Sequence, residues 1–123
     1  MDDGMAFLYD EKNQCYSMEW DGILFSCETE CQLFVTVAER LAKKYKTRLP
    51  FIVEYIIGNK EFLETYGVMS KEDFMIRLEE MTIPWIFLGE NNSGTIAYGD
   101  SGYVIEFCFR GDFEEFSDFS IDG

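Results

Sequence analysis

Four cysteines, at positions 15, 27, 31 and 108, are the strongest candidate metal ligands in the chain, and there is no histidine to join them. Without histidine the chain lacks the usual general base, the commonest metal ligand and every Ser-His or Cys-His nucleophile. Four thiolates can in principle hold zinc, but structural zinc sites are built from close pairs about two to four residues apart. Only Cys27 and Cys31 have that spacing, and no second pair does. Buried, reduced cysteines are the expectation, and no metal or other cofactor is called for. Neither a Gly-rich phosphate loop nor a helix-loop-helix calcium loop is present. Carboxylates remain, with 24 acidic residues against 10 basic ones and a formal charge of −14. Among so many, no pair marks itself as an acid/base couple. The chain is expected not to be an enzyme.

The charge is more informative about partners. A field of this sign repels nucleic-acid backbones and anionic membranes and favours basic partners and cations. No direct nucleic-acid binding and no membrane contact are expected. Acids cluster after Arg110, where Asp112, Glu114, Glu115, Asp118 and Asp122 interleave with Phe113, Phe116 and Phe119, and no Lys or Arg falls among them. Asp112, Glu114, Glu115, Phe116 and Asp118 are the candidate partner-binding residues, aromatic anchors within a ring of charge. The alternative is a segment whose Phe side chains turn inward and whose acids are simply solvated. A second candidate is a small-ligand or cation pocket between sheet and helices, lined by Trp20, Trp85 and Tyr98.

These residues need elements to position them. Residues 15–20 alternate, Asp21-Gly22 is a strong two-residue hairpin signal, and residues 23–27 return, so the chain opens with a β-meander. The period then changes. Thr29-Glu30-Cys31-Gln32 fits a capping box, and Phe34, Val37, Ala38, Leu41 and Tyr45 recur at helical spacing, predicting a helix over 30–46. Arg40, Lys43, Lys44, Lys46 and Arg48, half of all the cations, would complement the dipole at its C-terminal end or form a basic knob. Pro50 suits the first turn of a new helix, with a further piece over 59–66 and another from Ser70. Residues 83–88, 95–98 and 103–110 read as strands. The last of these, bracketed by Gly102 and Gly111, puts Tyr103, Ile105, Phe107 and Phe109 on one apolar face. It is expected as a central strand, and the segment after it as a loop turning into a short final strand. The order gives a single α+β domain over 1–123, with an antiparallel sheet and two or three helices on one face.

The pattern Asp10…Gln14-Cys15-Tyr16…Trp20-Asp21-Gly22, with Ser70-Lys71-Glu72-Asp73-Phe74 ahead of an apolar strand and the closing Ile121-Asp122-Gly123, resembles uncharacterised small bacterial domains of unknown function. The resemblance spans nearly the whole chain and implies an opening strand pair, central helices and a closing sheet. Ser101-Gly102-Tyr103 stands where some members carry Gly-His, so no role of that histidine carries over. In size and acidity the group is similar to immunity proteins that neutralise bacterial toxins. Together with the charge, this points to an inhibitor or immunity-type domain binding a basic partner. The acidic start Met1-Asp2-Asp3-Gly4 and the shortness of every apolar run suit a cytoplasmic protein.

Overall fold

The computed structural model describes residues 7–29 and 32–123. The sheet has seven strands, and their spatial order is their chain order. They are β1 (Leu8–Asp10), β2 (Cys15–Trp20), β3 (Ile23–Cys27), β4 (Trp85–Leu88), β5 (Ser93–Asp100), β6 (Tyr103–Arg110) and β7 (Glu115–Asp122). Between β3 and β4 come α1 (Gln32–Ile57), α2 (Lys60–Tyr66) and α3 (Lys71–Leu78). The α+β class and the opening meander are as the sequence indicates.

Turn chemistry accounts for the hairpins. Asp21 and Gly22 take φ of 57° and 79° and join Trp20 to Ile23. Ser101 and Gly102, at 49° and 94°, do the same between Asp100 and Tyr103. These are the positive values a two-residue hairpin needs to match the strand twist. One junction departs from the antiparallel expectation. β3 and β4 pair in parallel, Phe25 beside Ile86. A parallel pair requires a crossover in place of a tight turn, and the three helices supply it.

α1 corrects the expected boundary at Pro50. The helix runs through the proline to Ile57. An interior proline costs about 3 kcal/mol, because an N–H is lost and the ring crowds the preceding turn. Here Pro50 is exposed, so the carbonyl it leaves unpaired can reach water, while Ile52, Val53 and Ile56 just beyond it are fully buried. Burial of such side chains contributes roughly 1.5–3 kcal/mol each, so packing outweighs the break. The cations from Arg40 to Arg48 therefore lie mid-helix and do not cap its end. The predicted capping box at residues 29–32 lies partly outside the described residues. α2 and α3 begin as read, with Asn59 accepting from Glu61 N–H and Ser70 accepting from Asp73 N–H.

The helices pack on one face of the sheet. Met18, Phe25, Ile86, Ile96, Ile105, Phe107 and Phe109 point to it from successive strands and are buried against Ala38, Leu41, Ile52, Val53, Ile56, Phe62 and Phe74. β6 is an interior strand, but the middle of the sheet is β4, because the tail forms a full eight-residue strand outside β6. A bulge at Asp118 (φ 57°), opposite the register shift between Glu106 and Cys108, adds a residue to β7. That extra residue explains the three-residue spacing of the phenylalanines: Phe116 and Phe119 both stay on the helix side. Among the described residues no helix is long and apolar enough to cross a membrane.

Candidate functional site

Among the described residues no helix covers the other face of the sheet, and its middle is built from small side chains. Along β5, Ser93, Thr95, Ala97 and Gly99 alternate with the core residues Ile96 and Tyr98. Cross-strand pairing brings Trp85 and Glu106 to either side of Ala97, and Phe87 and Cys108 to either side of Thr95. Large walls beside a floor of small residues leave a trough of about 510 Å³, lined by Thr82, Trp85, Phe87, Thr95, Ala97, Val104 and Glu106 among others. Thr82 closes one end: its N–H donates to the Gly99 carbonyl at 3.1 Å and its hydroxyl accepts from Gly99 N–H at 3.0 Å. That volume falls within the range of small-molecule pockets.

The walls are fixed from behind. The Trp85 indole N–H donates to the Ser26 hydroxyl at 2.7 Å, and Ser26, fully buried, also meets the Ser17 hydroxyl at 3.0 Å. With its one polar atom committed there, the indole offers hydrocarbon to the trough. It is 38 % exposed, and Val104 across the trough is 42 % exposed. Among the described residues Glu106 is the only charged one in the lining. It lies opposite Ala97 and Ser120. Among the described residues no Lys or Arg pairs with it. The nearest cation on its own strand face is Arg110, about 13 Å further along at 3.3 Å per residue.

A hollow of about 290 Å³ does lie between helices and sheet, where Tyr45 and Leu49 of α1 and Met75 and Leu78 of α3 meet Ile23 and Tyr98, but neither Trp20 nor Trp85 lines it. Trp85 and Tyr98 both border the trough, but strand alternation sends the Tyr98 ring to the helix side. There it is buried, its hydroxyl 2.7 Å from that of Tyr45 on α1. Trp20 packs against the core beside Ile23 and does not line the trough. Burial pushes the Tyr45 phenol up to about 12, the bond to Tyr98 opposing this in part, and raises Tyr98 well above the ordinary value.

The candidate partner-binding residues are dispersed. Asp112 is ion-paired with Arg40 at 3.0 Å, so the tail has a compensating cation after all, supplied through space by α1. Phe116 joins an aromatic cluster with Phe107 and Tyr55 at 5.7 and 5.1 Å between ring centres, and Phe113 is fully buried. Glu114, in the turn before β7, and Glu115 and Asp118 on β7 are exposed. The phenylalanines therefore serve the core, and the acids alone face outward. Cys15 and Cys108 stand four strand spacings apart, about 19 Å, which rules out one shared site. Cys31 lies outside the described residues, and among those described no Cys/Asp/Glu group is arranged to hold a metal.

Thr82, Phe87, Thr95, Ala97, Gly99, Val104 and Glu106 are the lining residues that sequence reasoning missed. The available signal was the run of small residues at alternate positions of β5. Comparison with known proteins finds no matching family model, no matching curated protein and no matching solved structure.

Proposed function

We propose that this chain is a non-enzymatic interaction domain of inhibitor or immunity type, binding a basic protein in the cytoplasm through the helix-free face of its sheet and the acidic β7 edge beside it. One observation carries the reading. An uncovered apolar trough lies on that face, and the carboxylates next to it, Glu106 within and Asp122 opposite Val104 on β7, have no cation of the described chain paired to them. A net charge of −14 would steer a basic partner in, and a desolvated aromatic wall would hold it.

The test is affinity capture from the native cell at low and moderate salt, using the wild type and a Glu115→Gln/Asp118→Asn/Asp122→Asn variant. The expected result is a basic protein held by the wild type, weakened by salt and lost with the variant. Recovery of no basic protein at either salt overturns the reading. The trough's ligand-sized volume supports a second reading, a small-ligand or cation-binding module, for which a ligand must raise Tm in a concentration-dependent way.

A further inference from the structure

We infer that the trough is a socket for one arginine side chain of the basic partner, with the aliphatic stem against Trp85 and Phe87 and the guanidinium on Glu106. The inference rests on the basic-partner reading and names the group by which that partner would be anchored. Three features of the trough converge on an arginine. Its walls and floor are apolar or small: Trp85, Phe87, Val104, Ala97 and Gly99. Such a surface suits a hydrocarbon stem that must be desolvated. Its single charge is a half-buried carboxylate with no cation of its own among the described residues. Its largest wall is an indole locked in place by the 2.7 Å bond to Ser26. A guanidinium satisfies both a carboxylate and an aromatic surface, since its planar fork can bond the carboxylate in two places and stack on a ring, and it is less strongly hydrated than an ammonium.

A second copy of this chain fits less well. Two molecules each carrying −14 repel, and the described face around the trough presents Glu19, Glu106, Glu115 and Asp122 against Arg110 alone. Ordering costs also favour this pairing. The indole is already held, so the bound arginine would be the main group to lose rotamer freedom.

The experiment is an NMR titration of the full chain with N-acetyl-arginine methylamide, with the citrulline compound as a neutral isostere. The arginine probe is expected to give saturable shifts at the amides of Ala97, Val104 and Glu106 and at the Trp85 indole N–H. The citrulline probe is expected to give none. Glu106→Gln, at a half-exposed position, is expected to weaken binding by about tenfold, the value of a lost charge-assisted hydrogen bond. Ala97→Leu, which fills the floor and keeps the charge, should weaken it comparably. Equal binding of citrulline, unchanged binding by Glu106→Gln, or shifts confined to Glu114, Glu115 and Asp118 each overturn the socket. Loss of the socket alongside continued salt-sensitive capture of a basic protein removes this inference alone. Failure of that capture removes the broader reading.

Discussion

Arg40 Nε stands 3.0 Å from Asp112 Oδ1, joining the middle of α1 to the turn that leads into β7. The same guanidinium donates to the Asn92 side chain at 2.9 Å, and Arg48 donates to the Phe113 carbonyl at 3.0 Å. The basic stretch of α1 thus acts as a clamp on two turns, the one between β4 and β5 and the one between β6 and β7. Its ion pair is partly solvated, so the expected cost of Asp112→Ala is under about 1 kcal/mol. Arg40→Ala also removes the Asn92 bond and is expected to cost more, about 1–2 kcal/mol. Urea midpoints of the two variants check the order. A larger loss for Asp112→Ala would mean that the carboxylate, and not the guanidinium, organises these turns.

Asp100 ties the second and third helices to the hairpin between β5 and β6. Its Oδ2 accepts from Tyr66 Oη and from Arg77 Nε, both at 2.8 Å, and the residue is only 6 % exposed. The partners differ in how well water can replace them. Removing Asp100 leaves an arginine that is more than a third exposed and can be rehydrated, so Asp100→Ala is expected to cost about 2 kcal/mol. Arg77→Ala leaves a buried carboxylate without its counter-charge, held by the Tyr66 hydroxyl, and is expected to cost more, about 3 kcal/mol. Denaturant unfolding of both variants measures the difference, and the reverse order would show that Asp100 is readily hydrated.

The buried phenols predict the alkaline limit of stability. Tyr45 is pushed up to about 12 and Tyr98 well above its ordinary value of 10.0, chiefly by burial. A group whose folded pKa is raised holds its proton in the folded state after the unfolded chain has lost it. Its stabilising contribution is complete below about pH 10 and is lost as pH rises towards the folded value. Stability is therefore expected to fall steeply between about pH 10 and 12. Tyr98→Phe removes one such group, so the slope in that window should shrink by close to one proton, with a cost near neutrality of about 1 kcal/mol for the lost bond. Unfolding free energies taken across that window test this. An unchanged slope would place the linkage elsewhere.

Local chemistry was legible where one residue type has one strong preference. Asp21-Gly22 and Ser70 were read correctly because positive φ and an N-cap hydroxyl are short-range requirements. Pro50 misled for the same reason: its local signal is a break, and only the burial of Ile52, Val53 and Ile56 overrides it. The three-residue spacing of Phe113, Phe116 and Phe119 hid a strand, since a turn residue and a bulge both disturb the period of two. The Arg40–Asp112 pair leaves no local trace, because 72 positions separate its members. The trough was hidden by its floor. Thr95, Ala97 and Gly99 are small and mark no chemistry of their own, and they matter only once Trp85 and Glu106 are placed on either side of Ala97.

Ser26 gives the most direct handle on that trough without touching its lining. It is fully buried on the helix-free face, accepting the Trp85 indole N–H at 2.7 Å and meeting the Ser17 hydroxyl at 3.0 Å. Ser26→Ala leaves the indole N–H and the Ser17 hydroxyl without that partner, at an expected cost of about 1–3 kcal/mol. Burial of the position and the small change in volume keep the fold intact. The indole then loses the bond that orients it, so Trp85 fluorescence is expected to shift to the red and become more readily quenched. Because a wall held in place should bind better than one ordered only on binding, arginine-probe affinity should drop with it. Ser17→Ala removes the outer bond but leaves the indole's acceptor, and is expected to preserve both the emission and the affinity. Equal emission shifts in the two variants would show that Ser26 does not set the position of the ring.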